Sequence, residues 1–326
     1  MAEAPTHWSR TGESGMLTGM KLLLLVYQVF GRRGFSICLF PVMCYYYLTR
    51  REARQASRQY LRKIRPLLPP EQQASLTSLR HFLMFGEILL DKLLVWMGRI
   101  TREDVVFKTP DTIRQMELSR KGGIIVVSHL GNFEICNALA NEFPDIHLTV
   151  LVYTRHAGKF NTLMKRVAGD VDIEVLQVTD MSPATIMIFA QRISAGGYIV
   201  IAGDRTPVTG QGRVSTVEFL GDLAPFPQGP LILAGLLKCP VYPMFCIKQQ
   251  VQYHVYVEQF KEDLKFHDRK ARQQNLQSAV QQYATRLEYY CIKAPLQWFN
   301  FFPFWSSDQS KNLNHRASTG SDIGIS

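Results

Sequence analysis

Gly122-Gly123-Ile124-Ile125-Val126-Val127-Ser128-His129-Leu130-Gly131-Asn132-Phe133-Glu134 is the stretch that decides the fold. Two glycines open it, four β-branched apolar residues follow, and the pattern turns polar at Ser128. This reads as a buried strand ending at Ser128 and a helix starting shortly after Gly131. In one continuous helix, His129 and Glu134 would stand about 140° apart around the axis and could not meet. At a strand–turn–helix junction they can, with Gly131 supplying the permissive backbone of the turn. Glu134 then falls in the first helical turn, where the dipole favours a carboxylate. A carboxylate on one imidazole nitrogen fixes the tautomer and leaves the other nitrogen as an acceptor, the arrangement of a general base. The pair sits at the carboxyl end of a strand, where open α/β sheets bind ligands.

Outward from this stretch, short apolar runs alternate with helical patterns. Strands are expected at Ile124–Ser128, Leu148–Tyr153, Asp172–Leu176, Tyr198–Ala202, Val214–Phe219 and Val241–Ile247. Helices are expected near Asn132–Glu142, Phe160–Ala168, Pro183–Ile193 and Gln228–Leu237. Alternation of this kind implies an α/β fold with a mainly parallel sheet covered by helices. Val251–Val257 reads as a late antiparallel strand and Lys270–Cys291 as a helix. Residues 306–326, rich in Ser, Asn, Asp and Gly, read as a loose tail.

The first 66 residues differ in kind. They carry eleven Lys and Arg against three acids, and so eight of the chain's ten net positive charges. Leu22 to Phe30 is an apolar run, Gly31-Arg32-Arg33-Gly34 interrupts it, and Phe35 to Leu48 resumes it. Each run is shorter than the roughly 20 residues of a spanning helix, and two arginines at its middle are costly in hydrocarbon. The expected form is a re-entrant or interfacial helical hairpin with Arg32 and Arg33 at headgroup level. A single tilted span and a buried pair of core helices are the alternatives. Arg50, Arg54, Arg58, Arg62 and Arg65 then recur every three or four residues and line one helical face. A basic stripe directly after an apolar segment reads as contact with anionic phospholipid, or more plainly as a solvated helix face. Pro66, Pro69 and Pro70 end this helix, and residues 71–100 read as one or two further helices. The chain thus divides into an anchoring segment (1–66), a catalytic domain (67–305) and a tail (306–326).

Composition excludes several classes. With 20% charged residues and a hydropathy near zero, the chain is not a multi-span membrane protein. The six cysteines stand far apart with no CxxC pair, which reads as buried thiols in a reducing compartment rather than a zinc site. No G-x-S-x-G elbow supports a lipase or thioesterase, and Ser128 points away from His129 along the strand. The basic stripe lacks any accompanying nucleic-acid motif, so no nucleic-acid partner is expected.

Ser128-His129-Leu130-Gly131-Asn132-Phe133-Glu134 resembles the HxGNxE form of the HX4E/D motif of the bacterial lipid A biosynthesis acyltransferases. The resemblance extends over about residues 16–305. Tyr153-Thr154-Arg155 with Phe160-Asn161 is similar to the family's arginine block. Gly203-Asp204-Arg205-Thr206-Pro207 is similar to its aspartate block, and Phe219-Leu220-Gly221 with Pro225-Phe226-Pro227-Gln228-Gly229-Pro230 to its pocket segment. Cys239-Pro240-Val241-Tyr242-Pro243 is similar to its small-Pro-Val-x-Pro strand entry. Gln297-Trp298-Phe299-Asn300-Phe301-Phe302-Pro303-Phe304-Trp305 resembles the ending of a stand-alone subgroup, some of it linked to aryl polyene lipids.

The resemblance implies a glycerol-phosphate acyltransferase-like fold, an N-terminal membrane anchor and a place at the cytoplasmic face of the bacterial inner membrane. It implies O-acyl transfer from acyl carrier protein or acyl-CoA to a membrane lipid or glycolipid, by a His129/Glu134 dyad and without cofactor or metal. Arg155 and Asp204 match positions tied to activity. From the residues alone, Asp204 and Arg205 could orient a phosphate, a pantetheine or each other, or form a structural ion pair. Asn132 or backbone amides at the helix start could hold the oxyanion. Phe219, Phe226 and Pro227 could wall an acyl tunnel or simply pack. The cluster Trp298–Trp305 could anchor at a bilayer interface or close the core. A catalytically inactive lipid-binding scaffold remains the competing class.

Overall fold

A computed structural model describes residues 14–135, 146–152, 173–177, 182–205, 213–260 and 269–305. The helices are α1 (Ser14–Thr49), α2 (Arg51–Ile64), α3 (Ser78–Trp96), α4 (Pro110–Ser119), α5 (Pro183–Ser194), α6 (Gly229–Leu237) and α7 (Arg269–Lys293). The strands are β1 (Val105–Phe107), β2 (Gly123–Val127), β3 (Leu148–Val152), β4 (Ile173–Gln177) and β5 (Tyr198–Ala202). They continue with β6 (Val214–Phe219), β7 (Asp222–Pro227), β8 (Val241–Gln249) and β9 (Gln252–Val257).

Seven strands form one sheet in the order β1-β9-β8-β2-β5-β3-β4, and β2 lies at its centre. The pairings are parallel except β8–β9, an antiparallel hairpin. Every residue of β2 is buried, as expected of a central strand covered on both faces. Its side chains alternate between two apolar layers. Ile124 and Val126 join residues of α2, α5, α6 and α7, whereas Ile125 and Val127 join residues of α3 and α4. The short strand β1, which the apolar pattern does not reveal, extends the sheet beside β9.

Val214–Phe219 is a strand, but it stands outside the sheet. It pairs antiparallel with β7, and the two meet at a tight turn where Leu220 (φ 52°) and Gly221 (φ 79°) are both left-handed. Its burial alternates, one face packed and the other wet, in contrast to the fully buried central strand β2. The expected pocket segment 219–230 is therefore a hairpin that leads into α6.

The helix expected from Asn132 is, as far as it is described, a single 3-10 turn, Phe133–Ile135. Arg155, Phe160, Asn161, the helix expected at 160–168, Thr206, Pro207 and the tail 306–326 lie outside the described residues.

The N-terminal apolar runs form one helical element, α1, broken at Gly31 (φ 64°, ψ −163°). Phe35, Leu39 and Met43 pack against Phe82, Leu90 and Leu94 of α3, and Gly86 leaves room for Leu39 and Met43. Arg32 reaches the fully buried Asp91 of α3, which also accepts from Lys248 Nζ at 2.6 Å and from the Tyr253 hydroxyl. Arg32, expected at headgroup level, thus has a partner within the protein while its side chain stays about half exposed, and it helps neutralise a buried carboxylate on α3. No helix of the described residues is long and apolar enough to cross a membrane. Helix α2 turns Tyr60, Leu61 and Ile64 into the main core, while Arg51, Arg58 and Arg62, and Arg65 just past its end, stay exposed.

Candidate active site

Parallel pairing of β2 with β5 sets Val127 opposite Ala202. Two residues beyond that pair, past the ends of the two strands, lie His129 and Asp204. His129 Nδ1 stands 2.7 Å from Asp204 Oδ1, and the His129 backbone N–H donates to Asp204 Oδ2 at 2.8 Å. The Trp298 indole N–H donates to the same Oδ2 at 3.0 Å. Asp204 is 2% exposed, so each of these donors matters to an ionised carboxylate with little water around it.

The carboxylate on the histidine is therefore Asp204 and not Glu134. Glu134 turns instead to Lys92 of α3, with both oxygens within 3.1 Å of Nζ. Two features divert it. Gly131 is left-handed (φ 67°), its N–H donates to the Gln297 carbonyl, and Asn132 N–H donates to the Cys246 carbonyl. The loop after β2 is thereby pinned between β8 and the C-terminal segment, and Glu134 sits in the 3-10 turn Phe133–Ile135. Asp204 and Arg205, expected as substrate-binding neighbours of the site, thus divide: Asp204 bonds to His129, and Arg205 lies at the cleft.

Nδ1 faces a carboxylate acceptor, so it carries the proton and Nε2 is the basic nitrogen. Burial lowers the His129 pKa, opposed by the Asp204 charge and assisted by Arg205 and Lys92. The imidazole is therefore neutral at neutral pH, as a base must be. For Asp204, burial acts upward, but His129 and Arg205 together outweigh it and hold the carboxyl below its usual range.

His129 lines a cleft of about 170 Å³ with Phe85, Lys92, Gly131, Phe133, Arg205, Phe299, Phe301 and Phe302. The cleft offers one base, two cations and an aromatic wall. Lys92 Nζ lies 4.6 Å from the centre of the Phe133 ring, and the Arg205 guanidinium lies 5.5 Å from that of Phe302. The C-terminal segment, which reads as either interface anchor or core, closes the core through Trp298, Phe299 and Phe304 and does one thing more. It folds over the histidine loop, with Phe299 N–H on the His129 carbonyl at 3.0 Å, and supplies three phenylalanines to the cleft.

Asn132 is fully buried and is not among the residues lining the cleft; its amide meets no partner at bonding geometry, although the Tyr253 hydroxyl feels its influence. Phe219 and Phe226 pack in the core with Trp298 and Phe304 instead of walling the cleft. Ser128 is buried, and its hydroxyl accepts from the Leu130 N–H.

Lys92 escaped the sequence reading because it comes from a helix whose apolar periodicity marks it as core. Its charge at the middle of an apolar helical run is the one signal that pointed to it. Among the described residues no group of three His, Cys, Asp or Glu side chains is placed to hold a metal ion.

No curated protein matches the chain. The family model for bacterial lipid A biosynthesis acyltransferases matches residues 88–307, which contain β2, His129, Asp204 and the C-terminal aromatic segment, and the chain belongs to that family.

Proposed function

We propose that this protein transfers an acyl chain from a thioester, carried by acyl carrier protein or coenzyme A, to a hydroxyl of a membrane lipid or glycolipid. The carrying observation is the buried Asp204 carboxylate 2.7 Å from His129, which opens on a cleft of aromatic rings and two cations. His129 Nε2 takes the proton of the acceptor hydroxyl as its oxygen attacks the thioester carbonyl carbon. The tetrahedral oxyanion forms near Lys92 and Arg205, whose charges stabilise it. The C–S bond then breaks, and the departing sulfur takes the proton back from the imidazolium. The phenylalanines exclude water and receive the apolar chain. Membership in an acyltransferase family supports transfer, and the buried, occupied Ser128 disfavours an acyl-enzyme hydrolase. The site of action proposed is the cytoplasmic face of the bacterial inner membrane.

The test is His129→Ala, checked first for folding by its melting curve. General-base assistance contributes roughly 10²–10⁴-fold. Transfer of palmitate from palmitoyl-acyl carrier protein or palmitoyl-coenzyme A into bacterial membrane lipids should drop by at least about 100-fold. A folded variant that transfers at the wild-type rate would sink the reading.

A further inference from the structure

Behind Asp204 runs a second line of hydrogen bonds. Ser78 Oγ–H donates to Ser57 Oγ at 2.8 Å, and Ser57 Oγ lies 3.0 Å from His81 Nδ1. His81 Nε2 lies 2.9 Å from the Trp298 carbonyl oxygen. A carbonyl only accepts, so Nε2 carries the proton and Nδ1 accepts from Ser57. Every group then has a partner of the right kind. Burial holds the His81 pKa down to about 4, so the ring stays neutral and this pattern persists at working pH.

The line is rigid as well as satisfied. His81 and Trp298 are both 0% exposed. The His81 ring lies between Tyr60 (5.6 Å) and Phe301 (4.8 Å), and the Trp298 ring between Tyr60 (5.1 Å) and Phe219 (5.2 Å). The Trp298 indole N–H is the one donor to Asp204, among the hydrogen bonds described, that does not come from His129 itself. Without it, the described hydrogen bonds to the carboxylate come only from the residue it is meant to orient, with the Arg205 charge acting beside them.

We infer that Trp298 and His81 are positioning residues for the proton-transfer pair, Trp298 fixing the Asp204 carboxylate through its indole N–H and His81 fixing Trp298 through its carbonyl. The inference rests on the acyl-transfer reading for its catalytic meaning, but not for its geometry. Loss of the indole donor makes the carboxylate more basic, which favours the imidazolium of His129. The remaining charged groups that bear on His129, namely Asp204, Arg205 and Lys92, are unchanged by that loss.

The test replaces Trp298 by 3-benzothienylalanine, which keeps the bicyclic shape and lacks the N–H. The His129 titration is followed by NMR in histidine-labelled full-length protein, so the readout does not depend on activity. We expect the His129 pKa to rise by at least about half a unit. In the palmitoyl-transfer assay kcat should fall roughly tenfold with little change in KM for the donor. His81→Phe should reproduce the kcat loss, and His81→Gln, which keeps an N–H near the Nε2 position, should restore most of it. An unshifted His129 titration with unchanged kcat in the benzothienyl protein overturns the inference. Separately, a titration shift together with full activity of His129→Ala would overturn the functional reading and leave the positioning intact.

Discussion

Asp204 and Glu134 compete for one role, and their surroundings separate them. Asp204 accepts both the side-chain and the backbone N–H of His129, whereas Glu134 is engaged with the Lys92 ammonium. Asp204→Asn keeps the shape but removes the charge that stabilises the imidazolium, and it invites the wrong tautomer. We expect turnover to fall by roughly 100-fold or more. With the opposing charge gone, burial and the cations lower the His129 pKa further. The acid limb of the rate profile, already below the ordinary histidine value because burial lowers the pKa, then moves to still lower pH. Glu134→Gln should cost less than about tenfold, since it loosens Lys92 and leaves the base in place. Kinetics of both variants across pH decide the matter, and a larger loss in Glu134→Gln would return the dyad to Glu134. The histidine was legible from the apolar strand ending in Ser128-His129. Its partner was harder to read because proximity in sequence favours Glu134. The competing signal was there: His129 and Asp204 each lie two residues past the end of their strands, β2 and β5, and parallel register brings equal offsets together.

At the scale of elements, the central parallel strands were legible because burial on both faces demands unbroken apolar runs. The ribbon β6–β7 was not separated from them, since a half-wet strand of six residues carries no mark of its sheet. The turn after β2 depended on partners remote in sequence, Cys246 and Gln297, and no local pattern announces those. This turn makes its own prediction. A methyl group at Gly131 (φ 67°) would land on the Cys246 backbone carbonyl, whereas one at Gly221 (φ 79°) meets nothing within 4 Å. Both alanine variants carry left-handed strain of about 1 kcal/mol or more, but only Gly131→Ala must also push the histidine loop away from β8. Gly131→Ala should lower Tm by several degrees more than Gly221→Ala and should also depress kcat, while Gly221→Ala leaves kcat within about twofold. Equal melting temperatures and equal kcat in the two variants would show that the turn is not held as described.

For the whole molecule, the question is which surface meets the lipid. Helix α1 spends one face on α3 through Phe35, Leu39 and Met43, yet Phe30, Ile37, Phe40 and Leu48 are each at least half exposed. Large apolar side chains gathered on one open face are costly in water and mark a site for an apolar partner. Immediately beyond them, α2 exposes Arg51, Arg58 and Arg62, and Arg58, Arg62 and Arg65 line an open cleft of about 480 Å³. Apolar residues followed by cations match the order of acyl chains and anionic headgroups across a monolayer. The protein is therefore proposed to lie on the membrane with α1 partly immersed. Phe301 links that face to the active cleft, because it packs on the α1–α3 cluster and also lines the cleft. Truncation at residue 66 would be a poor test, since Tyr60, Leu61 and Ile64 belong to the main core. Substitution of exposed residues avoids that. Ile37→Ser with Phe40→Ser and Leu48→Ser should abolish sedimentation with both neutral and anionic vesicles, because apolar burial acts on either. Arg51→Gln with Arg58→Gln and Arg62→Gln removes about 1 kcal/mol of attraction per charge, so binding to vesicles containing phosphatidylglycerol should weaken by roughly 100-fold, and binding to phosphatidylcholine should hardly change. If the serine variant still sediments like wild type, the immersed face lies elsewhere. If the glutamine variant binds anionic vesicles as wild type does, the arginines of α2 serve only the protein, as Arg65 already does in part by holding the carbonyls of Gln73 and Leu76.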